Sequence, residues 1–254
     1  MNITNAVTEK FEGDRLVAIF NRQKELMEKY HHIELNIGLM QTEDCPVNLH
    51  DKRGQARLKD FAWRATEEVA EAMETIPVIN ELANQLSGLR VSDFEDANLF
   101  ALKHDEINKS IEENMLHFQE ELVDALHFFT EFTILCGITP EDLWVLISKE
   151  ENIAYKEDLL INIFSEATRE KGYNLSIAMA GFVTDLGLCC NCLKNKAWKQ
   201  TQMLTDIPKF KNNVATAWLS FMKLLDAGQL NPDRITDLYL KKSQVNEFRI
   251  GSKY

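Results

Sequence analysis

The chain has 254 residues, enough to bury a sizeable core, with 45% hydrophobic and 27% charged residues, the balance of an ordinary globular protein. A net charge of −12 argues against a general nucleic-acid binder, which needs a basic face, but leaves room for a small anionic ligand reached through a divalent cation. The apolar runs read as short and broken by charge, so no membrane span is expected. Five cysteines do not make a disulfide framework, and the start of the chain lacks the basic-then-apolar order of a signal peptide, so a cytoplasmic protein with reduced thiols is expected.

With only 10 glycines and 5 prolines and little strand-like alternation, the chain reads as all-α. Residues 14–36 carry Leu16, Ile19, Phe20, Leu26 and Met27 at helical spacing. Residues 38–57 lose that period and contain Pro46 and Gly54, which predicts a loop, and over 48–59 Lys52, Arg53, Arg57 and Lys59 read as a solvated basic cluster. A second helix is predicted from about Leu58 to Glu74, then weak helical segments and loops over 76–112. A third helix is predicted over about Glu113 to Cys136. Thr139 and Pro140 should cap and open a fourth helix.

The second half rhymes with the first. LCGITPEDLWVLISKEE (135–151) and DAGQLNPDRITDLYLKKSQ (226–244) share a layout, and FQEELVDALHFF (118–129) matches FKNNVATAWLSF (210–221) in its aromatic frame. Glu120, Glu121 and Asp124 become Asn212, Asn213 and Thr216. This pattern reads as one domain over 1–254 built by a degenerate duplication. A catalytic unit would occupy about 14–156, and a second unit, carrying the tail, about 157–254.

Two carboxylate pairs stand out on the predicted helices. Glu68 and Glu71, like Glu121 and Asp124, are three residues apart and so share a face. If the helices pack side by side, four carboxylates converge, and their repulsion calls for a hard cation with oxygen ligands. A solvated acidic face is the alternative. Near the end of the chain Lys242, Asn246 and Arg249 lie at i, i+4 and i+7, a donor set suited to phosphate oxygens, or else a charged surface helix.

These elements, in the segments EELVDALHFF, WRATEEVAEAME and YLKKSQVNEFR, resemble the all-α deoxynucleoside triphosphate pyrophosphatases. That group includes dimeric all-α dUTPases, bacteriophage dCTP pyrophosphatases and MazG-type enzymes. The resemblance implies Mg-dependent hydrolysis of dUTP or dCTP to monophosphate and pyrophosphate, with manganese as a substitute metal. It makes Glu68, Glu71, Glu121 and Asp124 the metal ligands, with Glu68 or Glu71 as general base. Lys242, Asn246, Arg249 and Tyr254 become phosphate ligands and Gln23 a base contact. It also implies a nucleotide partner, a homodimer and, for a viral chain, the host cytoplasm.

There are departures from the family pattern. Met27 stands where an Asn is expected, the Trp-Lys motif after the first acids is missing, and the tail ends Ile250-Gly251-Ser252-Lys253-Tyr254. They leave the base open, and with it two alternatives: a MazG-type enzyme of broader range, or a silent protein that binds nucleotide or a partner chain. His127 reads as a partner of the acids or as a core histidine. Cys189, Cys190 and Cys192 read as buried thiols, because adjacent helical positions diverge by about 100°. Trp63 and Trp198 read as core rather than as base-stacking surfaces.

Overall fold

The computed structural model describes residues 2–10, 12–37, 42–149, 158–170, 172–196 and 198–252. Tyr254, expected on the phosphates, and the expected unit boundary near 156 lie outside them. Among the described residues eight α-helices follow in order: α1 (Arg15–Ile37), α2 (Lys52–Gly88), α3 (Ala97–Leu135), α4 (Pro140–Ser148), α5 (Leu159–Ala167), α6 (Leu175–Cys192), α7 (Ile207–Ala227) and α8 (Pro232–Gly251). Among the described residues there is no strand, so the fold is all-α as the composition predicts.

Two helices are longer than their sequence pattern suggests. α2 begins at Lys52, not near Leu58, because the Asp51 carboxylate accepts from the Arg53 and Gly54 backbone N–H groups at 2.7 and 3.3 Å. Gly54 is therefore no loop residue. A Cβ there would meet the Asn48 carbonyl oxygen at 2.6 Å, so glycine lets the preceding turn lie against the helix. At its far end α2 runs through Pro77 to Gly88, and α3 starts at Ala97 behind the Asp96 cap. The charged 76–112 stretch is thus mostly the distal half of one antiparallel hairpin. Pro77 removes one N–H but does not stop a helix supported along its length by a partner.

The turn between α3 and α4 matches expectation: Thr139 caps, Pro140 opens the helix, and Thr139 and Asp142 exchange backbone and side-chain bonds. The α7–α8 turn closes the same way. Ile138 N–H bonds to the Thr133 carbonyl, and Leu230 N–H to the Leu225 carbonyl. The left-handed position is Gly137 in one turn and Gln229 in the other. Gly228 plays a separate role: a Cβ there would stand 2.7 Å from Leu122 Cδ1, so its bareness lets this turn rest on α3.

Where α3, α6 and α7 meet, the core is aromatic. Phe129 of α3 meets Phe182 of α6 and Trp218 and Phe221 of α7, with ring centroids 5.0–5.6 Å apart. α6 corrects one expectation. With a mean hydropathy of 1.5 over 18 residues and Asp185 its only charge, it is long and apolar enough to cross a membrane. Here Ala178, Phe182, Leu186 and Cys189 bury one face in the bundle, while Ile177, Val183 and Leu188 stay exposed on the others.

Candidate active site

α2 and α3 make the most extensive helix pair of the fold, and the site lies along their seam. Ala65, Val69 and Ala72 of α2 and Leu122, Ala125 and Leu126 of α3 are fully buried. Beside this apolar seam each helix carries a polar stripe at i, i+3/4 and i+7 spacing. On α2 it reads Arg57, Phe61, Arg64, Glu68, Glu71; on α3, running the other way, Glu131, Phe128, Asp124, Glu121. The two stripes are graded alike: acids at one end, aromatic rings in the middle and a buried polar group at the other.

At the acidic end, carboxylate oxygens of Glu68, Glu71 and Glu121 all lie within 4.8 Å of one another. Burial, then the charges of Asp124, Glu71 and Glu121, push Glu68 up to about 8, so it holds a proton at neutral pH. A cluster of oxygen donors that keeps a proton to relieve its own repulsion fits a hard divalent cation. Asp124, expected as the fourth ligand, lines the same cavity as Glu68 and is the foremost charge acting on it, outside the three-carboxylate cluster. It accepts from Lys242 Nζ at 2.6 Å, and that ammonium also lies 4.0 Å from Glu120. Burial works against the Lys242 charge, but Asp124, Glu121 and Glu120 more than offset it and hold its pKa above the usual range. Lys242, expected as a phosphate ligand, also pairs with Asp124 and neutralises it.

The face of α8 is as its spacing predicts. Asn246 and Arg249 follow Lys242 and, with Gln23, Glu68 and Asp124, line a cavity of about 270 Å³. α8 is held against α1 by Glu247, which pairs with Lys29 at 2.8 Å and Arg22 at 3.3 Å. His127 does not reach the acids. Burial lowers its pKa to about 3, so it is neutral; its Nδ1–H donates to the Val123 carbonyl, Nε2 faces the Ser243 hydroxyl, and its ring stacks on Tyr239 at 3.8 Å. It is a core histidine that braces α8 on α3.

The far end of the cavity holds Gln23, expected as a base contact, together with Glu131, Phe61 and Phe128, which sequence reading passed over. Gln23, 4% exposed, donates from Nε2 to Glu131 at 3.0 Å and accepts from the Tyr239 hydroxyl at 2.6 Å. Arg57 stands 3.9 Å from Glu131 and donates to the Thr42 carbonyl, so it is no solvated loop cation. Phe61 and Phe128 face each other at 6.3 Å, with the Arg64 guanidinium 4.9 Å over the Phe61 ring. Glu131 was discoverable: it is a lone acid in an apolar run, seven residues from Asp124 on the same face. Trp63 and Trp198, read as core, are 61% and 77% exposed. Cys189 is buried, and among the described residues no cysteine joins a metal-binding group.

Glu131 gives a pH signature. Burial, eased by Arg57 and Gln23, raises it from 4.5 to about 7. Below pH 4.5 folded and unfolded chains both carry the proton, so no penalty exists. As pH rises from 4.5 towards 7 only the unfolded chain loses it, and stability falls by on the order of 2–3 kcal/mol before levelling off. Glu131→Gln removes this step. Urea midpoints at pH 5 and pH 7.5 should therefore show wild type losing ground to the variant; parallel profiles would mean that Glu131 titrates normally.

The family model for dUTPase matches residues 80–254, taking in Glu121, Asp124 and the α8 face while starting beyond Glu68 and Glu71. No curated protein and no solved structure gives a significant match. With the match spanning more than half of its length and an all-helical fold around a carboxylate cluster, the chain belongs to the dUTPase family and is a nucleotide pyrophosphatase of that type.

Proposed function

We propose that the chain hydrolyses a pyrimidine deoxynucleoside triphosphate, dUTP or dCTP, to the monophosphate and pyrophosphate with magnesium. The observation that carries this reading is the polarity of a single groove. Three clustered carboxylates stand at one end, and the buried Gln23–Glu131 pair stands at the other. Along α3 the ten residues from Glu121 to Glu131 rise about 15 Å, a span suited to phosphates at one end and a base at the other.

Glu68, Glu71 and Glu121 would hold magnesium, or manganese in its place, with Asp124 joining when Lys242 turns to the phosphates. When bound, the metal supplies charge withdrawal from the phosphates and a more acidic water. The residues of the chain do the rest. Glu71, or Glu68 where bound metal would have displaced its proton, takes the proton as a water oxygen bonds to the α-phosphorus and the bond to the bridging oxygen breaks. Lys242 and Arg249 meet the negative charge gathering on pyrophosphate, and Asn246 donates to a phosphate oxygen. The carboxamide of Gln23, fixed by Tyr239 and Glu131, presents a set orientation to the base edge, while Phe61 and Phe128 flank it.

The experiment is a kcat/KM panel of deoxy- and ribonucleoside triphosphates for the wild type and Gln23→Ala. Preference for one or two pyrimidine deoxynucleotides, flattened in the variant, is expected. A flat wild-type panel would instead favour a broad-range enzyme of the MazG type, and Met27, in place of an amide on α1, is the feature of this chain that speaks for it.

A further inference from the structure

On the opposite side of α2 lies a second cavity, of about 530 Å³, whose lining is of another character. Lys52 and Lys59 of α2 face Lys194, Lys196 and Lys199 of the α6–α7 connection, Trp198 stands at the rim, and among the described residues no carboxylate lines it. In a chain of net charge −12, five ammonium groups around one hollow are not a chance sample of the surface. Lys59 and Glu68 are nine residues apart on one helix, about 13 Å along the axis and half a turn around it, so the two cavities are separate.

The lysines are held in place by a buried scaffold that the acidic groove does not use. Asn195, 2% exposed, donates from Nδ2 to the His50 and Met203 carbonyls at 2.8 Å and accepts from the Met203 N–H at 2.7 Å. Gln55, fully buried, accepts from the Asn195 N–H at 2.7 Å and donates to the Leu49 carbonyl and the Thr205 hydroxyl. These bonds clamp the connection to the start of α2. Two of the lysines serve the clamp: Lys59 donates to the Leu193 carbonyl at the end of α6, and Lys52 to the Lys199 carbonyl. The others do not. Lys196 lies 5.2 Å over the Trp198 ring, and among the described residues neither Lys196 nor Lys199 meets a carboxylate. Burial, opposed in part by Cys190 and joined by the charges of Lys196, Lys194 and Lys199, holds Lys59 below its ordinary range.

We infer that this hollow is a second anion site, and that it takes a free nucleotide, with the phosphates on Lys196 and Lys199 and the base on the exposed face of Trp198. Both halves of that ligand are called for. A bare phosphate leaves a 77% exposed indole unexplained, and an apolar partner leaves the lysines so. The volume lies in the range of small-molecule sites.

The test measures equilibrium binding of ATP and of inorganic tripolyphosphate to the full chain in EDTA, which keeps metal from the acidic groove. Proteins compared are the wild type, Glu121→Gln, Lys196→Ala/Lys199→Ala and Trp198→Ala, each checked for unchanged melting. Saturable ATP binding below about 1 mM is expected in the wild type and in Glu121→Gln, weakened at least ~10-fold by the lysine pair. Trp198→Ala should weaken ATP but not tripolyphosphate. Loss of binding in Glu121→Gln with retention in the lysine variant would place the nucleotide in the groove and overturn the proposal, as would no saturation by ATP. An oligothymidylate that binds more tightly than ATP and displaces it would reassign the hollow to a single strand, and the free-nucleotide reading would fall.

Discussion

Glu121→Gln is expected to lower pyrophosphate release by on the order of a thousandfold or more while leaving the fold intact. Glu121 contributes one of the three clustered carboxylates and is partly exposed, its other neighbour being His117 at 3.2 Å. The amide keeps the volume and one oxygen but loses the charge that a hard cation needs. Stability should move the other way. Burial, and after it the charges of Asp124, Glu71 and Glu121, keep Glu68 protonated at neutral pH, so removing one of those charges relieves repulsion, and the metal-free variant should melt no lower than the wild type. A variant that unfolds at lower temperature would mean that these acids hold α2 to α3 rather than serve a ligand. One that retains turnover would remove Glu121 from the active site.

Trp218→Ala is expected to cost about 3–5 kcal/mol of stability. Trp218 is fully buried between Phe20 of α1, at 6.0 Å, and Phe129 of α3, at 5.0 Å, and its indole N–H donates to Thr133 Oγ1 at 2.9 Å. The Thr133 hydroxyl already donates to the Phe129 carbonyl, so truncation strands no donor, and the loss is chiefly a cavity that three helices cannot collapse. Denaturant titration reads the difference as a fall in midpoint at constant slope. Phe129 points away from the acids, so the variant should keep its kcat where it is folded. A loss below about 1 kcal/mol would mean that the core repacks, contrary to the interlocking of the rings.

What the sequence made legible follows from what it could punish. The acidic pairs were visible because a carboxylate amid apolar residues needs a reason, and Glu68, Glu71 and Glu121 do converge. The tail face was visible for the same reason, and Asn246 and Arg249 do line the cavity. Asp124 was legible as part of the acidic face, but spacing along one helix does not reveal a lysine arriving from another, and Lys242 pairs with it. The start of α2 was hidden because Gly54 and its basic neighbours look like loop chemistry. Only the contact with the Asn48 carbonyl explains the glycine, and only Glu131 explains Arg57. The distal hairpin was hidden because its two helices are largely exposed, and exposed helices carry little apolar period. Trp63 and Trp198 misled in the other direction, since residue type argued for burial and the surface kept them.

The measurement that bears most directly on this account is pyrophosphate release from dUTP and dCTP by the intact chain, with magnesium and with chelator. The account predicts equal amounts of nucleoside monophosphate and pyrophosphate, only with the metal, and from at least one of the two. No release by a folded protein that binds magnesium, or release of phosphate and the diphosphate instead, would contradict it.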